Sequence, residues 1–192
     1  MSERFYLLKI QLLDIEPSIW RRFAVPASIT LDRLHDVIQI VMGWQDYHLH
    51  MFHIGGRQFT EAMEDADFEG EDESVFRLCD FVRNEKQRFR YEYDFGDDWQ
   101  HELVLEKVQT VPEGYALVLK CLAGKRACPP EDVGGPDGYA EFLEAISNPK
   151  HPEHKEYLRW SGGKFKPNFF DTGRVNFELA KYTRWSRPRH NQ

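Results

Sequence analysis

The opening residues 5–13 (FYLLKIQLL) are almost continuously apolar and rich in strand formers. Glu16-Pro17-Ser18 supplies a turn, and Ile19–Val25 follows. There Ile19, Arg21, Phe23 and Val25 fall on one face and Trp20, Arg22 and Ala24 on the other. The two runs predict a hairpin. The period then changes. Leu31, Leu34, Ile38, Val41 and Met42 recur at helical spacing and predict an amphipathic helix. Thr30 is its expected N-cap through the hydroxyl, and Gly43 suits the left-handed position at its end. A strand is expected at 48–54 (HLHMFHI), closed by Gly55-Gly56.

A second hairpin is expected from 88–94 and 99–107, and its register can be argued. Phe89, Tyr91, Tyr93 and Phe95 alternate on one strand; Trp99, His101, Leu103 and Leu105 alternate on the next. A loop of odd length keeps both sets on one side of a sheet, whereas a slip of one residue exposes half of them. A three-residue loop, Gly96–Asp98, pairs Phe95 with Trp99 and Tyr93 with His101. Asp98 then takes a left-handed conformation, which Asp tolerates, and His101 points inward. One further strand is expected at 115–121 (YALVLKC), and irregular chain at 121–138. Three short helices follow: one marked by Tyr139, Phe142, Leu143 and Ile146, one opened by Pro152, and one capped by Asp171 with Val175, Leu179 and Tyr182 buried. These patterns predict an α+β fold: an antiparallel or mixed sheet crossed by a helix, β-grasp-like in its N-terminal part, with a C-terminal helical cap. We expect a single domain over 1–192, with the helical segment at 138–185.

Charge changes the picture in one place. Residues 61–74 carry eight acidic side chains and no basic one, which reads as a solvated surface loop. The whole chain has a net charge of −7, and gains little from the counterion release that drives non-specific DNA binding. No apolar run is long enough for a transmembrane helix, and the first residues lack the pattern of a signal peptide. With three cysteines, Cys79, Cys121 and Cys128, a disulfide framework is not expected, and a cytoplasmic location is.

Several segments together resemble one family: IWRRFAVP (19–26), LHDVIQIVMGWQDYHLHMFHIGG (34–56), YEYDFGDDWQHELVLEKV (91–108), CPPEDVGGPDGYAEFL (128–143), and HPEHKEYLRW with FKPNFFD (151–171). This is the plasmid pRi open-reading-frame-three-like family, whose members are sometimes labelled as passenger proteins of mobile elements. The resemblance spans nearly the whole chain and implies a single α+β domain.

The candidate chemistry gathers in two motifs. Asp94, Asp97, Asp98 and His101 surround one turn, and Cys128, Glu131 and Asp132 lie in CPPED. Carboxylate with imidazole suits a divalent metal, and thiolate with imidazole suits zinc. The metal trio is His101, Asp97 and Cys128. Ligand contacts are assigned to Arg21, Arg22, Asp94, Asp97, Asp98, Glu131 and Asp132, and the two motifs are expected to meet near His101. The same residues also suit turn hydrogen bonds and a satisfied core histidine. His48 and His50 share a strand face and could chelate at i, i+2; the favoured reading has these two, with His53 and His35, satisfied locally. Arg21 and Arg22 beside Trp20 suit a phosphate or a base, or neighbouring acids. No phosphate-loop, G-x-S-x-G or H-E-x-x-H pattern occurs. The leading expectation is a cytosolic, non-enzymatic module binding a protein or small molecule. A metal-dependent hydrolase and a nucleic-acid accessory protein are the alternatives.

Overall fold

A computed structural model describes residues 3–62, 70–112 and 119–185. The hairpin expected at the start is present as β1 (Glu3–Leu12) and β2 (Trp20–Pro26), followed by α1 (Leu31–Met42). Then come β3 (His50–Ile54), β4 (Arg57–Thr60), β5 (Glu71–Asp72), a 3-10 turn (Glu73–Val75) and α2 (Leu78–Phe81). The second hairpin is β6 (Arg88–Tyr93) and β7 (Trp99–Val111); β8 (Lys120–Lys125) completes the sheet. Helices α3 (Gly135–Ser147), α4 (His154–Trp160) and α5 (Thr172–Trp185) close the described chain. The result is a mixed α+β fold with an eight-stranded sheet, ordered β5-β4-β3-β6-β7-β1-β2-β8. Neighbours are antiparallel except β4 and β5.

Period-two alternation puts Tyr6, Leu8, Ile10 and Leu12 of β1 into one core with Leu103 and Leu105 of β7 and the apolar stripe of α1. Thr30 occupies the N-cap of α1, but its hydroxyl donates to Asp32 instead of accepting a backbone N–H. Gly43 ends α1 at φ +104, its N–H donating to the carbonyl of Gln39.

The register of β6 and β7 differs from the expected one by two residues. Tyr93 faces Trp99, Tyr91 faces His101 and Phe89 faces Leu103, which leaves a five-residue loop, Asp94–Asp98. Asp94 is the reason. It sits at φ +57, its Oδ1 accepts from the N–H of Gly96 (3.0 Å) and Asp97 (3.3 Å), and its carbonyl accepts from the N–H of Asp98 at 2.7 Å. The turn therefore closes before Phe95 can pair. The loop remains odd in length, so Tyr91, Tyr93, Trp99, His101 and Leu103 still share the buried face. Asp98 is left-handed, at φ +53.

Other boundaries move. The strand expected at 115–121 lies at 120–125, and residues 113–118 fall outside the described chain. Pro152 precedes α4 by two residues instead of opening it. Asp171 caps α5, its Oδ1 accepting from Gly173 N–H (2.8 Å) and Arg174 N–H (3.1 Å). The acidic run is folded where it is described at its C-terminal end. Glu71 and Asp72 pair with β4, and Glu73 is buried. Residues 63–69 of that run lie outside the described chain, as does most of the basic tail.

A candidate metal centre beside the β6–β7 turn

The two acidic motifs meet. Asp97 Oδ2 accepts from the N–H of Gly134 at 3.1 Å, joining the β6–β7 turn to the loop after CPPED. Gly135, at φ +68, makes the approach feasible, because a Cβ there would lie 2.5 Å from the carbonyl oxygen of Asp97. The Gly134-Gly135 pair thus belongs to loop docking, not to a phosphate loop.

His48 occupies the junction. Its Nε2 lies 3.1 Å from Asp132 Oδ1, 3.5 Å from Asp94 Oδ2 and 3.9 Å from Glu131 Oε2. No hydrogen bond of sound geometry reaches this buried nitrogen among the described residues. Donor atoms of His48, Asp94 and Asp132 lie within 4.8 Å of one another. Asp94 divides its work: Oδ1 braces the turn and Oδ2 faces the imidazole. Glu131 is held by the N–H of Gln45 (2.8 Å) and the hydroxyl of Tyr93 (3.1 Å). Burial pushes its carboxyl above the usual range, against hydrogen bonds from Gln45 and Tyr93 that lower it. A raised acid favours the fold below its ordinary pKa, and that contribution is lost as pH rises through the folded value. A cation beside Glu131 offsets this loss.

A second set, His35, Asp46 and His50, is also compact. His35 Nε2 meets Asp46 Oδ1 at 2.8 Å, His35 Nδ1 meets Tyr91 Oη at 2.8 Å, and His50 Nε2 meets Glu73 Oε2 at 2.8 Å. The imidazoles stack with centroids 3.5 Å apart and planes 9° from parallel. Ring lone pairs lie in the ring plane, so two stacked imidazoles cannot both aim at one ion at the roughly 2.0–2.2 Å that metal–nitrogen bonds require. This set is a buried hydrogen-bond network.

The i, i+2 chelate weighed for His48 and His50 does not form: His48 joins the first set and His50 the second. The expected metal trio also disperses. His101, Asp97 and Cys128 belong to neither set. His101 is fully enclosed, with Nδ1 at 3.2 Å from the carbonyl of Tyr91 and its ring edge-on to Trp44. Burial lowers its pKa to about 3, against backbone hydrogen bonds at Tyr91 and Trp99 that raise it. Burial likewise pushes the Cys128 thiol well up, against the pull of Arg21. Asp98 accepts from the side chain of Gln100 at 2.6 Å.

Arg21 is buried. It donates to the carbonyls of Val41 (2.8 Å), Trp20 and Lys125 (both 2.9 Å), and its guanidinium lies 4.0 Å from the ring centroid of Phe170. It ties the end of α1 to β8. Arg22 holds Glu106 through two hydrogen bonds, at 2.5 and 2.9 Å. Both arginines expected at a ligand have structural partners. His53 lies 3.4 Å from Glu92.

His48, expected on a strand over 48–54, lies two residues before β3, and neither position gives a sign of two distant acidic loops. Together the sheet, the C-terminal helices and this cluster define an α+β protein with a candidate divalent-cation centre. The chain belongs to the family described as Plasmid pRiA4b ORF-3-like protein, whose model matches residues 4–174. It is 38% identical over 171 residues to the uncharacterised protein y4hQ of Sinorhizobium fredii, covering 88% of this chain and 85% of that one. A crystal structure of a protein of unknown function, MM3350 from Methanosarcina mazei Go1, superposes with a TM-score of 0.79. It shares 38% identity, over 90% of this chain and 98% of that one. No helix among the described residues is long and apolar enough to cross a membrane.

Proposed function

We propose that the protein is a cation-dependent binding module. In this reading His48, Asp94 and Asp132 hold a divalent ion, with Glu131 beside it, and the ion presents open coordination positions to a ligand. The observation that supports it is the buried Nε2 of His48, faced by three carboxylates yet without an aligned hydrogen bond. Donor atoms of His48, Asp94 and Asp132 within 4.8 Å of one another are close enough to share one ion. One imidazole and two or three carboxylates suit Mn²⁺ or Zn²⁺ better than a thiol-selective metal. The hydrolase reading shares this ion and adds turnover; the module reading does not need a nucleophile. The family match over 4–174 supports treating 1–192 as a single domain with 138–185 as its helical cap. Hairpin, helix and strand in that order support the β-grasp-like description of the first part. The free cysteines support a cytosolic setting.

The test is calorimetric titration of Mn²⁺ and Zn²⁺ into chelator-treated protein, paired with thermal melts. Saturable binding at about one ion per chain is expected, with a raised melting temperature, because a ligand that binds only the folded state stabilises it. His48→Ala and Asp94→Asn should each abolish both effects. Binding that survives His48→Ala would place the ion elsewhere and end this reading.

A further inference from the structure

Glu131 and Asp132 also line a concave pocket of about 490 Å³, walled by Trp44, Tyr47, Trp160 and Phe165. Its volume is in the range of small-molecule sites. Among the described residues its lining holds two carboxylates and no lysine or arginine, which disfavours an anion. Its aromatic character is equally specific. Tyr47 and Trp160 stand 66% and 47% exposed, although their rings would gain by burial. A bare or hydrated metal ion seeks oxygen and does not explain aromatic walls. An uncharged apolar ligand does not explain the carboxylates. An organic cation uses both, since the faces of Trp and Tyr attract positive charge.

The pocket is also stiff on one side. Trp44 Nε1 donates to the carbonyl of Pro129 at 3.1 Å, and the Trp44 ring packs 4.8 Å from that of Tyr93. Glu131 is fixed by Gln45 and Tyr93, and Pro129-Pro130 limits the loop. A wall already ordered before binding loses little entropy on binding.

We propose that this pocket binds an organic cation, a trimethylammonium or guanidinium group on a short carrier, against Tyr47 and Trp160 with Glu131 and Asp132 as counter-charge. The inference goes beyond the divalent ion and does not require it, although the two sites share Asp132.

The experiment titrates the full chain by tryptophan fluorescence and calorimetry with choline, with N-acetylarginine amide, and with 3,3-dimethylbutanol, the uncharged isostere of choline. At least one cation should saturate the protein, and the isostere should bind at least about tenfold more weakly. Preference for choline identifies a small quaternary ammonium as the natural source; preference for the arginine amide identifies a side chain of a protein partner. Trp160→Ala and Tyr47→Ala should each weaken the cation by about tenfold. The Tyr47 variant is the safeguard against loosening α4, because among the described residues the Tyr47 hydroxyl bonds only nearby Gln45. Chelator-treated protein should bind the organic cation within about twofold of untreated protein, because the pocket does not require the divalent ion. Equal binding of isostere and cation, no saturation by either cation, or no effect of both aromatic variants would overturn the proposal. Mn²⁺ binding without organic-cation binding defeats the pocket alone, and the converse defeats the metal reading alone.

Discussion

Two histidine clusters built from the same residue types lie on neighbouring stretches of this chain, and they have opposite characters. Around His35 and His50, each facing polar group has a partner: Tyr91, Gln39, Asp46 and Glu73 complete a network around a stacked pair. Around His48, three carboxylates converge on one nitrogen and none bonds it well. A buried polar network that satisfies its members rigidifies a core. Like charges gathered around an unsatisfied ring nitrogen call for a further positive charge. The difference lies in satisfaction, not composition, and it separates a structural cluster from a candidate binding centre.

The sharpest way to break this contrast is to remove a member of the satisfied cluster. Glu73→Ala leaves a buried imidazole without its acid and should cost about 3–5 kcal/mol in urea unfolding, with Mn²⁺ binding retained if the folded fraction is corrected for. A loss under about 1 kcal/mol would mean that the buried pair is dispensable. The next largest effect concerns pH. His101 stays neutral in the fold down to about pH 3, while in the unfolded chain it titrates near its ordinary 6.5. Between those values the unfolded chain binds the extra proton. The contribution of His101 is therefore full above about pH 6.5 and declines as pH falls toward 3, by at most about 1.4 kcal/mol per unit. Urea midpoints from pH 7 to 4 should fall less steeply for His101→Phe than for the native chain. Identical slopes would show that the ring is not enclosed. The smallest effect belongs to the open cluster. Without metal, His48→Ala should change stability by no more than about 0.5 kcal/mol, because no aligned hydrogen bond is lost. A large loss would make His48 a structural residue like His50.

Much of the fold was legible because its signals are local. Alternation at Tyr6, Leu8 and Ile10, and the helical spacing of Leu34, Ile38 and Val41, are set by the geometry of strand and helix. The parity argument placed His101 and Leu103 on the buried face even though the loop proved two residues longer. That error came from Asp94, whose side chain closes the turn in a way that apolar patterning does not register. The acidic run misled for a related reason. Charge density predicts solvent exposure, but Glu73, in the 3-10 turn, is buried against His50 of β3.

The sequence by itself determined the two hairpins, the helix and strand between them, the C-terminal helices and the family, but not β4, β5 or α2. It also determined that the β6–β7 turn and the CPPED loop carry the acidic chemistry. Tertiary structure alone decided which histidine they would meet. His48, Asp94 and Asp132 come from three separate stretches of chain, brought together by β3 pairing with β6 and by Gly134 docking on Asp97. Pattern rules act over a few residues through backbone geometry. A donor set is fixed by distances of a few ångströms between side chains far apart in sequence, and those distances exist only once the sheet has closed.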